Sequence, residues 1–297
     1  MNIVKIVDRL PSFLKRHKIV RLLLLFFPKS RIQLIQYNGS ASLFADLSDP
    51  EARSALFTKS FEQEFFSIAE PFLAKGGAFF DLGANFGFCS FGILARLYDA
   101  NIEYHLFEAN NYLCGLLRRS RNLYPDCNMF INNYCVSDSN GISRLYIDKA
   151  NFGKSFISDR GMQEVRNIVL DEYIEKKSIK KINFLKIDIE GWEPAALGGM
   201  RHSLASGIVE AVYIELFSAS LARSGFSTSE CLANMAQAGY RIFYVKSIDF
   251  DSGAADKQKA FMLNINGFRL RVSELNNFPD NLATDILAIR KDCGILQ

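Results

Sequence analysis

The run Phe79-Phe80-Asp81-Leu82-Gly83-Ala84-Asn85-Phe86-Gly87 constrains the fold more than any other stretch of the chain. A buried-strand pattern runs into a glycine turn, and apolar residues then resume with helical spacing. Gly83 permits a backbone turn that a side chain would obstruct, Gly87 lets the next helix pack close to the strand, and the helix start offers free N–H groups. Such a unit cradles a nucleotide-like cofactor. Asp81 refines this, because a carboxylate at the strand end repels a pyrophosphate and suits a cationic sulfonium. The spacing Asp-x-Gly-x-Asn-x-Gly is therefore nearer to an S-adenosylmethionine site than to the G-x-G-x-x-G of a dinucleotide site.

From residue 78 onward strand and helix patterns alternate. Strands are expected up to Leu82 and over 102–108, 129–136, 182–189, 208–216, 240–245 and 285–289, with helices over 86–98, 112–123, 194–205 and 227–238. This alternation implies a parallel sheet with helices on both faces. Residues 142–169 read as a β excursion around a polar loop at 151–161, and 246–281 as polar and irregular. Upstream, Asn38-Gly39 between alternating apolar runs signals a hairpin, Asp49-Pro50 starts a helix, and Lys75-Gly76-Gly77 ends another. Three segments are expected: an arm over 1–30, a hairpin-and-helix cap over 31–75, and the main domain over 76–297.

Ligands of an open parallel sheet bind beyond the carboxyl ends of its strands. Here those ends read Asp81, Glu108, Ser137-Asp138, Asp188-Ile189-Glu190-Gly191 and Glu215. Glu108 stands about one βα unit after Gly87, where an acidic residue grips ribose hydroxyls. Any one of these carboxylates also reads as a helix N-cap or a solvated turn. Their agreement across successive strands favours a site.

The segments Phe80 to Gly87, Phe107-Glu108-Ala109-Asn110, Val136-Ser137-Asp138 with Gly141, Leu170-Asp171, Phe184-Leu185-Lys186-Ile187-Asp188-Ile189-Glu190-Gly191 and Ile214-Glu215 together resemble the FkbM-family methyltransferases. The resemblance covers roughly 61–245 and the closing Thr284 to Ile289. It implies an α/β, Rossmann-like class I methyltransferase fold, with a seven-stranded, mostly parallel sheet whose last strand is antiparallel. It also implies S-adenosylmethionine-dependent O-methylation of a hydroxyl on a saccharide, glycolipid or related secondary metabolite. In that reading Asp81 and the turn of Gly83, Ala84, Asn85 and Gly87 seat the methionine end, Glu108 and Ala109 the ribose, and Ser137 and Asp138 the adenine edge. Asp188, Glu190 and Glu215 then face the acceptor. Either Asp188 or Glu190 is the base, or the two bind acceptor hydroxyls; the structural alternatives are that Asp188 orients the cofactor's amino group and Glu190 caps the helix at Pro194. Trp192 departs from the small residues common there in the family, and either shapes the substrate mouth or packs.

Composition narrows the remaining classes. Residues 1–31 carry eight Lys/Arg against the single Asp8, leaving 27 basic and 31 acidic residues in the rest of the chain. A basic arm on a slightly acidic body argues against a nucleic-acid-binding core. The segment 3–27 mixes Ile, Leu and Phe with Lys and Arg, so it reads either as a helix packed on the domain or a second subunit, or as a peripheral contact on an anionic inner membrane face. Six scattered cysteines lack metal-ligand spacing and point to reduced thiols in the cytoplasm, and no resident metal is expected. Two other functions stay open: a nicotinamide-dependent oxidoreductase on a similar sheet, weakened by Asn85 and Asp81, and a non-catalytic membrane adaptor that keeps the fold.

Overall fold

The computed structural model describes residues 1–9, 16–245, 261–266 and 268–292. Its main sheet comprises β1 (Gly77–Leu82), β2 (Ile102–Phe107), β3 (Asn128–Asn132), β4 (Phe184–Ile187), β5 (Ala211–Phe217), β6 (Tyr240–Tyr244), β7 (Phe261–Ile265), β8 (Phe268–Glu274) and β9 (Ala283–Arg290). Their spatial order is β7-β8-β6-β9-β5-β4-β1-β2-β3. Strands β1 to β5 are mutually parallel, and β9 runs antiparallel to both β5 and β6. The expected Rossmann-like sheet with an antiparallel last strand is therefore present, and two strands wider than expected.

The extra width is the β7–β8 hairpin, which lies within the stretch 246–281 that reads as irregular. Its outward residues Asn264, Arg269 and Arg271 dilute the apolar alternation that marks a strand. Three other boundaries move. Strand β3 stops at Asn132, because the Asn133 amide donates to the carbonyls of Glu108 (2.9 Å) and Ala109 (3.1 Å) and turns the chain away. Cys135–Val136 instead joins Gly141–Tyr146, Phe156–Ile157 and Gln163–Ile168 in a separate four-stranded sheet. The helix at Pro194 is broken into Glu193–Gly198 and Arg201–Ala205, and at the break Gly199 lies so close to Ser137 that a Cβ would stand 2.0 Å from its carbonyl oxygen.

Side chains alternate across each strand and build two cores. Phe79 and Phe184 face the helices Gln63–Leu73 and Phe88–Arg96, whereas Phe80, Leu185 and Ile187 face Leu170–Lys176, Glu193–Gly198 and Thr228–Gln237. On the first face Phe65 of the cap meets Phe184 and Tyr213 at ring distances of 6.1 and 5.3 Å. Fully burying a ring such as Phe65 is worth roughly 1.5–3 kcal/mol, which helps to hold the cap on the sheet. The hairpin Ile32–Tyr37/Ala41–Asp46 turns through the three-residue loop Asn38-Gly39-Ser40, in which Asn38 (φ 46°) and Gly39 (φ 86°) are left-handed. Tyr37 then donates its hydroxyl to the Phe88 carbonyl at 2.6 Å and pins the hairpin to the helix after the glycine turn.

The arm contributes the helices Ile3–Asp8 and Arg16–Phe26. Val20 is fully buried in the domain core, with Leu23 and Leu24 packed beside it. No helix among the described residues is long and apolar enough to cross a membrane.

Candidate active site

Gly83 turns the chain at φ 80°, wedged between the ends of β2 and β4. A Cβ there would stand 1.9 Å from the Asp188 carbonyl oxygen. The N–H groups of Gly83 and Ala84 both donate to the Phe107 carbonyl, at 2.9 and 3.1 Å, and that of Asn85 donates to a Glu108 carboxylate oxygen at 2.8 Å. In a dinucleotide site such N–H groups approach pyrophosphate. Here the protein has already used them.

Glu108 is the acceptor that closes this turn. Its second carboxylate oxygen takes the Asn110 N–H at 2.8 Å, and burial pushes its carboxyl up to about 7 against the pull of those two bonds. The residue borders a cleft shared by Gly83, Asn85, Ala109, Asp188, Glu190 and Trp192. The separate four-stranded sheet supplies the roof through the turn Phe152–Lys154 and Phe156. That roof is tied to the cap, since Phe152 donates its N–H to Asp49 at 2.8 Å while Asp49 also caps the helix Pro50–Thr58.

Below the cleft, the sheet face that is apolar at Phe79 and Phe184 turns polar one pleat higher. Asp81 and Lys186 are cross-strand neighbours on β1 and β4, and Glu215 and Asp285 on β5 and β9. The Lys186 ammonium lies 2.8 Å from Asp188 and 3.9 Å from Asp81. Burial alone would drive off its proton, but the negative groups around it, led by Asp188, hold its pKa well above the ordinary value. Glu215 shares a hydrogen bond with Asp188, and burial with that neighbouring charge raises its carboxyl to about 9. Glu190 sits in left-handed backbone (φ 55°) beside Gly191 (φ 99°), whose Cβ position is filled by the Ser220 carbonyl. Burial, then the proximity of Asp188, also raises the Glu190 carboxyl, while Arg223, Ser220 and Lys154 temper the shift.

Of the residues expected at the cofactor, the structure gathers Gly83, Asn85, Glu108 and Ala109 at the cleft. Asp81 is not there. Strand alternation turns it beneath the helix Phe88–Arg96, where it is fully buried and accepts a 2.5 Å bond from Ser90. Ala84 and Gly87 complete the turn away from the cleft, Gly87 against Phe91 and Leu117. Ser137 is buried behind Trp192, whose indole N–H donates to its hydroxyl at 3.4 Å, and Asp138 is exposed. Cys135 and Val136 take the bordering positions in their place, because the chain leaves the main sheet before them. Asp188 and Glu190 border the cleft, whereas Glu215 acts on it through Asp188. Glu190 caps nothing at Pro194: Glu193 accepts the Ile189 and Gly191 N–H groups, both at 3.1 Å.

Two further carboxylates come from the cap, Glu51 and Glu62. Burial, then Asp49 and Asp188, raises Glu51 to about 7, and the Asn85 amide approaches it at 3.5 Å. Glu62 is raised chiefly by burial, with Asp188 and Asp285 adding to it and Lys186 opposing. Only their position before a helix or in its first turn marks them in the sequence, and that signal reads as capping. Among the described residues no three His, Cys, Asp or Glu side chains are arranged to hold a metal ion.

The sequence model of the methyltransferase FkbM domain matches residues 81–242, more than half of the chain. Among solved structures, the FkbM methyltransferase of Methylobacillus flagellatus is similar at 15% identity and a TM-score of 0.45, over 72% of this chain and 44% of that one. The precorrin-6y C5,15-methyltransferase of Geobacter metallireducens gives 10% identity and a TM-score of 0.38 over 77% and 89% of the two chains. M. capricolum TrmK, solved with S-adenosylhomocysteine, gives 10% and 0.38 over 75% and 72%. No curated protein sequence matches the chain.

Proposed function

Since this chain belongs to the FkbM family of methyltransferases, we propose that it is an S-adenosylmethionine-dependent O-methyltransferase acting on a hydroxyl of a saccharide, glycolipid or related secondary metabolite. One observation carries the choice of cofactor: the N–H groups of Gly83, Ala84 and Asn85 are spent on Phe107 and Glu108, and carboxylates of Glu108, Asp188 and Glu190 border the cleft. A pyrophosphate finds neither donors nor a favourable field there. A sulfonium nucleoside suits both, with Glu108 placed for ribose hydroxyls and Gly83 and Asn85 beside it. The buried side-chain amide oxygen of Asn85 has no hydrogen-bond partner among the described residues, which leaves an acceptor for a donor on the ligand.

When bound, S-adenosylmethionine supplies an electrophilic methyl group. The chain's task is then to align the acceptor oxygen and take its proton. Glu190 fits the second role best. Burial raises its carboxyl above the ordinary value, and it borders the cleft with a 3.4 Å contact from Ser220 on its carboxylate. Asp188 is engaged on two sides, by Lys186 and Glu215, so it serves as a fixed acceptor for substrate hydroxyls. Trp192 and Phe152 form apolar walls that a sugar or lipid-linked ring packs against.

Calorimetric titration with S-adenosylhomocysteine and with NAD tests the cofactor: the first is expected to bind and the second not. Saturable binding of NAD with none of S-adenosylhomocysteine would overturn the reading. Incubation with methyl-labelled S-adenosylmethionine and fractionated glycans and lipids then identifies the acceptor.

A further inference from the structure

The helix Arg16–Phe26 has two apolar faces, and only one is covered. Val20, Leu23 and Leu24 pack inward, and His17 sets its ring edge against Phe57 at 4.3 Å. On the other side Leu22, Leu25 and Phe26 are 54%, 79% and 72% exposed, followed by Phe27 at 47%. Monomeric soluble surfaces scatter such residues singly, and a cluster of them marks a contact surface. The charges around the cluster say what kind. Between Arg16 and Arg31 the sequence holds Arg16, Lys18, Arg21, Lys29 and Arg31 and no Asp or Glu. Lys18, Arg21 and Lys29 are exposed, and they flank the apolar residues one turn before and just after. Large apolar side chains bracketed by cations, on a helix too short to span a bilayer, fit an interface with anionic headgroups outside and acyl chains within.

We propose that this face of the arm docks the protein on an anionic lipid surface, with Leu22, Leu25, Phe26 and Phe27 entering the acyl boundary and Lys18, Arg21 and Lys29 meeting headgroup phosphates. The inner face of the same helix stays on the domain through Val20 and Phe57, so docking needs no unfolding of the arm. The helix Pro50–Thr58 that receives it carries in its first turn Glu51, 3.5 Å from the side-chain amide of Asn85. This inference stands whether or not the acceptor is a lipid.

The test is flotation of the full chain with phosphatidylcholine vesicles, with and without phosphatidylglycerol. Wild type is expected on the anionic vesicles only, with binding weakened by added salt. The double substitution Leu25→Glu/Phe26→Glu should lower the partition coefficient about tenfold or more, and Lys18→Glu/Arg21→Glu should remove the preference for phosphatidylglycerol. Both changes lie on solvent-facing positions, so far-UV circular dichroism and melting temperature should match wild type and exclude misfolding as the cause. Absence of wild-type binding to anionic vesicles, or equal binding by Leu25→Glu/Phe26→Glu, overturns the proposal. A concentration-dependent dimer that the same substitution dissolves, without vesicle binding, would assign the face to a second copy instead. No arm of the test depends on methyl transfer, so its outcome is separable from that of the proposed reaction.

Discussion

Glu215 and Asp188 share a hydrogen bond at the ends of neighbouring strands, so two carboxyl groups hold one proton between them. Lys186 approaches the pair from the Asp188 side at 2.8 Å, which leaves the proton with Glu215. Asp188, the member of the pair that borders the cleft, is therefore held between Lys186 and Glu215, which fixes its position toward an acceptor hydroxyl. Such an arrangement suits a polyol better than a second anion.

That shared proton makes stability depend on pH. Glu215 rises from an ordinary 4.5 to about 9 on folding, so between those values the folded chain keeps a proton that the unfolded chain releases. Its contribution is fully present below about 4.5 and is lost as pH rises through about 9. Glu51, Glu108 and Glu193, each raised to about 7, add to the same downward slope up to neutrality. Differential scanning calorimetry should show the melting temperature falling from pH 6 to about 9. The variant Glu215→Gln, which keeps a donor toward Asp188, should flatten the alkaline part of that fall; an unchanged profile would contradict the shared proton.

Replacing Glu190 by Gln removes the proton acceptor and keeps its shape. We expect kcat to drop by about 10² to 10⁴, while affinity for S-adenosylhomocysteine stays within a factor of about two. Single-turnover transfer and calorimetry measure the two separately. A variant with wild-type turnover would assign the proton transfer to another group.

Lys186→Met strips the cation from Asp81 and Asp188. An ion pair broken on one side costs about 3–5 kcal/mol, and Asp81 is fully buried. Urea unfolding should show a loss of that order at neutral pH. The double change Lys186→Met/Asp81→Asn should recover part of it.

Gly83→Ala places a methyl where the Asp188 carbonyl oxygen already stands, in backbone at φ 80° that alanine avoids. The ends of β1 and β4 must separate to admit it. Binding of S-adenosylhomocysteine should fall at least about tenfold while circular dichroism still reports the sheet. Undiminished binding would mean that the turn does not set the cleft's geometry.

The backbone of this site is legible in the sequence because glycine and strand-end positions have few physical alternatives. Gly83, Glu108 and Asp188 follow from the turn and from the rule that ligands meet the carboxyl ends of parallel strands. Which face a strand-end side chain takes is harder to read. Asp81 sits one pleat too deep and is covered by the helix that follows it, a distinction that rests on where β1 ends by a single residue. Ser137 and Asp138 are displaced for another reason: the amide of Asn133 turns the chain out of the sheet, and nothing in an apolar pattern announces that bond. Glu51 and Glu62 arrive from about twenty to thirty residues upstream of the turn by tertiary packing alone.

The packing of the cap on the sheet also sets an order of events at the ribosome. Phe65 and Phe72 leave the exit tunnel well before Phe184 and Tyr213, the rings they come to rest against. Until β4 and β5 have been translated, this aromatic surface has only part of its native partners, Phe66 and Phe79 among them, and at roughly 5–20 residues per second that interval lasts about 7 to 30 seconds. The nascent chain is thus most in need of a chaperone during the middle of its synthesis, and slowing translation between β1 and β4 should lengthen that need.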